Sequence, residues 1–111
     1  MVGLITDKRE IDEIIAQNIQ DKRLVFTQNF RIRNAMRDIT DERALEVFSQ
    51  FEKVFAIEKK LLKQGDIGYE LFYSLSNNIT FSIATIPKGN NLLLIHAIEY
   101  KRSLGKRFKI D

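Results

Sequence analysis

The chain has no cysteine, no tryptophan, one proline, one histidine and five glycines in 111 residues. Without cysteine there are no disulfides, no thiolate zinc sites and no cysteine nucleophile. With His96 as the only histidine, one chain cannot build a His-His acid/base pair, an HExxH zinc helix or a multi-histidine metal cage. Gly3, Gly65, Gly68, Gly89 and Gly105 are too scattered for a P-loop or a dinucleotide fingerprint, so no cofactor is expected. Apolar runs stop at four residues, as in Leu92 to Ile95, far short of a membrane span. No basic segment leads into an apolar one at the start, so the expected location is the cytoplasm, with no membrane partner.

What remains is ordinary globular material, 44% hydrophobic and 30% charged, in a length that suits one domain with one core over residues 1–111. The net charge of +3 is unevenly placed. Residues 1–98 carry 13 basic and 13 acidic side chains, whereas the end holds Lys101, Arg102, Lys106, Arg107 and Lys109 against Glu99 and Asp111. A basic end of this kind either attracts a polyanion or merely keeps the chain soluble.

Asp7 followed by Glu10 resembles a helix start, and Ile11, Ile14, Ile15 and Ile19 recur at helical spacing, which predicts a first helix over about 7–22. That apolar stripe has to be buried, either on the remaining core or against a second copy in a homodimer. Arg23 to Phe26 reads as a connector or a short extended piece. Thr27 caps a second helix with Ile32, Ala35 and Met36 on one face, and Thr40 a third with Ala44, Val47, Phe48 and Phe51.

From about residue 53 the period changes. "KVFAIEKK", "YELFYSLS", "ITFSIATIP" and "NLLLIHAIEYK" read as strands, and "SNN" and "PKGNN" as hairpin connections. The expectation is α+β: two or three N-terminal helices packed on an antiparallel sheet of about four strands. Phe81 and Ile83 alternate with Thr80, Ser82 and Ala84, so one face of the sheet packs on helices and the other is open and polar. In the last strand, strict alternation puts Leu92, Leu94, His96, Ile98 and Tyr100 on one face. Apolar residues on both faces at its start make it an interior strand.

The sharpest chemical signal lies in "FTQNFRIRNAMRDIT". On a helix Asn29, Arg33 and Arg37 form one stripe, with Arg31 beside it, either as a solvated face neutralised by Asp38, Asp41 and Glu42 or as an anion site. Lys59 and Lys60 make a further basic patch. His96, between Leu94 and Ile98, is either a satisfied structural side chain or a proton-transfer group sharing a face with Tyr100.

"TQNFRIRNAMRDIT" followed by "ALEVF" resembles the opening of a family of small domains related to the BrnT and RelE-like ribonuclease toxins. Their pattern is His-x-x-x-Arg-x-x-x-Arg-Gly-Ile, a helix and an antiparallel meander. Arg33, Arg37 and Ile39 fall on the arginine and isoleucine positions, while Asn29 stands where the histidine would be and Asp38 where the glycine would be. The resemblance covers residues 25–102, leaving 1–24 as an extra helix and 103–111 as a basic tail. It implies a RelE/BrnT-like fold and a toxin-type endoribonuclease of a toxin-antitoxin pair, cutting RNA without a metal. Arg33, Arg37, His96 and Tyr100 would carry catalysis, and Arg31, Lys59, Lys60, Lys101, Arg102, Lys106 and Arg107 would hold RNA or another polyanion. An antitoxin-like protein is the implied partner. The other reading is a non-catalytic module that binds nucleic acid or protein with the same surface.

Overall fold

The computed structural model describes residues 3–102. Three helices lie against a six-stranded sheet, and each begins where a polar side chain caps it. Asp7 accepts from the Glu10 amide (3.1 Å) before α1 (Lys8–Ile14), Thr27 from the Phe30 amide (3.1 Å) before α2 (Gln28–Met36), and Thr40 from the Arg43 amide (3.0 Å) before α3 (Asp41–Phe48). The first helix ends sooner than its apolar pattern suggests. It widens into a π-helical turn over Ile15–Ile19, closed by the Gln20 amide on the Ile15 carbonyl (2.7 Å), and the chain reverses at Asp21, φ 63°.

The widened turn has a packing reason. A spacing of four residues drifts around an α-helix by roughly 40° per repeat, and lengthening the turn removes that drift. Ile11, Ile15 and Ile19 therefore all enter the core, with Ile14 packed partly against it. Each such burial stabilises the fold by roughly 1.5–3 kcal/mol. The stripe is thus covered within the chain, and pairing two copies through it would require opening this core.

The strands are β1 (Gly3–Ile5), β2 (Arg23–Phe26), β3 (Val54–Leu61), β4 (Ile67–Ser76), β5 (Ile79–Lys88) and β6 (Asn91–Tyr100), in the order β1-β3-β4-β5-β6-β2. The expected antiparallel meander is β3 to β6. The expectation of about four strands needs correction, because each edge gains one: β1 runs antiparallel to β3 and β2 parallel to β6, which makes the sheet mixed. β6 is interior, as its apolar start requires. The helices cover one face, with α1 near β3, α3 near β5 and α2 along β6. Phe30, Val47, Ile57, Leu71, Tyr73, Phe81, Ile83, Leu92 and Leu94 form the centre of that core. The Tyr73 hydroxyl donates to the Phe48 carbonyl (2.9 Å), so this large side chain buries its polar tip satisfied.

The second face is less bare than strand alternation predicts. Thr80 and Ser82 are 2% and 0% exposed, and Ala56 and Phe72 form a small cluster with Phe55 and Tyr100. Ser82 lies in register between Phe72 and Ile98, so its small side chain is shaded from both sides.

α2 also ends in a defined way. The Ile39 amide returns to the Asn34 carbonyl (2.9 Å) and the Asp38 amide to that of Ala35 (3.3 Å), with Asp38 left-handed at φ 56° and Ile39 buried. This is a Schellman ending, where glycine is the usual occupant. Asp38→Gly is expected to shift stability by less than about 1 kcal/mol, whereas Asp38→Val costs about 1–2 kcal/mol. Urea denaturation of the two variants measures both values.

Candidate functional site

The site begins with a gap. β2 pairs with β6 only over Leu92, Leu93 and Leu94 and the preceding Asn91, so the outer edge of β6 from Ile95 onward has no neighbouring strand among the described residues. Side chains of α2 cover it instead. The Thr27 hydroxyl donates to the Leu94 carbonyl (2.8 Å), Asn29 Nδ2 to that of Ile95 (2.9 Å) and Arg37 Nη1 to that of Ala97 (3.2 Å), while Asn34 Oδ1 accepts from the Ala97 amide (3.2 Å). Unpaired backbone groups at a buried edge are costly, and these bonds satisfy them.

They also decide how α2 faces the sheet, which corrects the expected orientation. Phe30 and Asn34 are the buried residues of the helix. Ile32 and Met36, expected on an inward face, are 53% and 80% exposed. The stripe Asn29-Arg33-Arg37 runs along β6. Asn29 is anchored on the strand and its Oδ1 accepts from Arg33 Nε (3.1 Å), while Arg33 itself is exposed.

A bulge in β6 supplies the second half. Thr85 pairs with Leu94 but Ala84 with His96, so Ile95 is an extra residue and the alternation breaks there. Leu92, Leu94 and Ala97 belong to the helix-side core. His96 turns to the other face, where register places it one strand from Ala84 and two strands from Glu70. The expectation that His96 shares a face with Leu92 and Leu94 is therefore corrected by one inserted residue.

His96, Glu70 and Lys60 line a cavity of about 140 Å³ above Ala84 and Gly68. Glu70 sits directly opposite Glu58, a like-charge pairing that Lys60 relieves, its Nζ 3.4 Å from Glu58 and 3.6 Å from Glu70. Burial pushes the His96 imidazole below its usual pKa. The Glu70 carboxylate opposes that shift, and the positive charges of Arg37, Arg33 and Lys60 add to it. Its Nδ1 is buried and has no hydrogen-bond partner among the described residues. The imidazole is thus favoured in its neutral form, beside Lys60 and Glu70 in one cavity and within electrostatic reach of Arg33 and Arg37.

The other expected residues are dispersed. Tyr100 lies four residues along the strand from His96, about 13 Å at strand rise, too far to share one reacting phosphate. It packs on the Ala56–Phe72 cluster instead. Arg31 stands over the Phe26 ring at 5.6 Å, and Lys59 faces Tyr69 at 6.0 Å. Lys101 and Arg102 are exposed just beyond β6. Lys106, Arg107 and the rest of the expected basic tail lie outside the described residues. Glu70 is the residue that sequence reasoning missed. Its signal was a carboxylate between Tyr69 and Leu71 in an otherwise apolar strand.

Folding lowers the proton affinity of His96, so the unfolded chain binds that proton more readily. Its contribution to stability is complete above the unfolded pKa of 6.5 and is lost as pH falls through the lower folded value. Wild type is expected to lose more stability than His96→Gln between about pH 7 and 5. Parallel denaturation profiles would contradict the assignment.

Among the described residues no helix is long and apolar enough to cross a membrane, and no group of three or more His, Cys, Asp or Glu side chains is placed to hold a metal ion. No family model matches the chain, and neither a curated protein nor a solved structure matches it.

Proposed function

We propose that this chain binds single-stranded RNA along α2 and the C-terminal half of β6, and cleaves it as a toxin-type endoribonuclease. The observation that carries the reading is the half-buried His96, whose neutral form is favoured and which shares a cavity with Lys60 and Glu70, with Arg33 and Arg37 within electrostatic reach. Cleavage by transesterification needs a base for the ribose 2′-hydroxyl and positive charge on the phosphate as it becomes pentacoordinate. His96 takes the proton. The 2′-oxygen bonds to phosphorus as the bond to the 5′-oxygen breaks, giving a 2′,3′-cyclic phosphate and a 5′-hydroxyl end, with water protonating the leaving oxygen.

Arg33 is the phosphate ligand, because Arg37 is partly committed to the Ala97 carbonyl. Lys101 and Arg102 extend the basic track. The resemblance to BrnT and RelE-like toxins supports this reading through Arg33, Arg37 and Ile39. The left-handed Asp38, standing at the motif's glycine position, adds to it.

A second reading, a non-catalytic module holding an acidic antitoxin-like protein, is favoured by the exposed Ile32 and Met36 beside Arg33 and Arg37. Purified protein is incubated with RNA and with duplex DNA at two salt concentrations, with products resolved on gels. Salt-sensitive binding and cyclic-phosphate ends that disappear in Arg33→Ala are expected. Binding without cleavage would remove the catalytic half of the reading, and no binding at low salt would refute the RNA reading and favour the protein-binding module.

A further inference from the structure

We propose that the cavity between Glu70, Lys60 and His96 is a subsite that reads a guanine base, next to the phosphate held by Arg33. The inference rests on the RNA reading above and adds a sequence preference to it. At about 140 Å³ the space is far below that of a cofactor or drug-sized pocket, and close to the size of cavity that encloses a benzene ring. Being open to solvent on one side, it takes the Watson–Crick edge of one base while the rest of the ring system stays at its mouth. Ile86, Ile95 and Leu62 provide apolar walls for the faces of a ring. Single-stranded RNA is recognised by drawing unstacked bases into such places and bonding their Watson–Crick edges.

The polar groups at the cavity select which base. The Glu70 side chain is 10% exposed and, when ionised, presents two acceptor oxygens and no donor. The Lys60 ammonium, a donor only, stands 3.6 Å from one of those oxygens. Read across, the protein edge is acceptor, acceptor, donor. Guanine offers the complement in order: the N2 amino group, the N1–H and the O6 acceptor. Adenine and cytosine each place a ring-nitrogen acceptor beside their single amino group, and uracil flanks its N3–H with two carbonyls. Each of these three sets an acceptor against the carboxylate.

A carboxylate this enclosed is expensive unless it bonds to something, and its partner among the described residues is the Lys60 ammonium, at the long end of ion-pair distance. Gly68 keeps the floor open. A Cβ there would meet Leu62 Cδ1 at 3.4 Å and the Thr85 carbonyl oxygen at 3.5 Å, ordinary contacts that a folded chain tolerates while the cavity narrows.

The test uses the full chain and short oligouridylates carrying one central guanine, inosine or adenine, with binding followed by fluorescence anisotropy at fixed low salt. The guanine oligonucleotide is expected to bind about tenfold or more tighter than the adenine one, with inosine, which lacks the N2 amino group, between them. Glu70→Gln and Gly68→Ala, each referenced to its own affinity for plain oligouridylate, are expected to erase the preference. Gly68→Ala serves as the second variant in case Glu70→Gln perturbs the strand. Equal binding of the guanine and adenine oligonucleotides, or a preference that survives both variants, would overturn the guanine subsite while leaving the RNA reading in place. Failure of every oligonucleotide to bind would overturn the RNA reading and the subsite with it.

Discussion

His96→Ala is expected to slow RNA cleavage by about 10²–10⁴-fold, the usual contribution of a positioned general base. Burial and the neighbouring cations favour the unprotonated imidazole, so the cleavage rate should rise with pH with its midpoint below the ordinary histidine value of 6.5. On the proposed reading RNA affinity should change much less, because the phosphates would be held by Arg33, Lys101 and Arg102 rather than by His96. Single-turnover rates on a labelled RNA, measured beside anisotropy titrations, separate the two effects. If the alanine variant cleaves at the wild-type rate, His96 is a structural side chain and the general base lies elsewhere.

The second large effect is on stability. Phe30→Ala should cost about 3–5 kcal/mol, the range for removing a buried aromatic side chain. Phe30 is fully buried, stacks on Phe26 with ring centroids 5.4 Å apart, and is the one apolar residue that α2 buries. Met36→Ala, on the same helix but 80% exposed, should shift stability by no more than about 0.5 kcal/mol. Urea midpoints of the two variants give the comparison. Similar losses would mean that α2 is held some other way.

These two residues also show what could be read from the residues alone. Caps at Thr27 and Thr40, the inward set Ala44, Val47 and Phe48, and the four long strands all follow from local patterns, and all are present. β1 was illegible because three residues carry no period; Arg23 to Phe26 could be read as a short extended piece, but not its pairing, because its partner lies far along the chain. The facing of α2 was misread because apolar spacing favours Ile32 and Met36, whereas the helix is oriented by hydrogen bonds from Thr27, Asn29, Asn34 and Arg37 to a strand that was not yet placed. His96 was recognised as a candidate, but its surroundings depend on the bulge at Ile95. No local residue preference announces that bulge. Glu70 was overlooked for the same reason, since only the register brings it toward His96.

The uncovered stretch of β6 has a further meaning for a chain with four long strands. A bare strand edge is a template on which another chain can add a strand of its own, and native sheets guard such edges with short strands, charges or covering elements. Here both outer strands are brief, and where β2 stops at Phe26 the amide and guanidinium groups of α2 occupy the backbone positions that an incoming strand would need. The same contacts that hold the arginines in place therefore stand in the way of strand addition along this stretch of β6. A variant that releases α2 should accordingly be lost to aggregation faster than its reduced folding free energy alone accounts for.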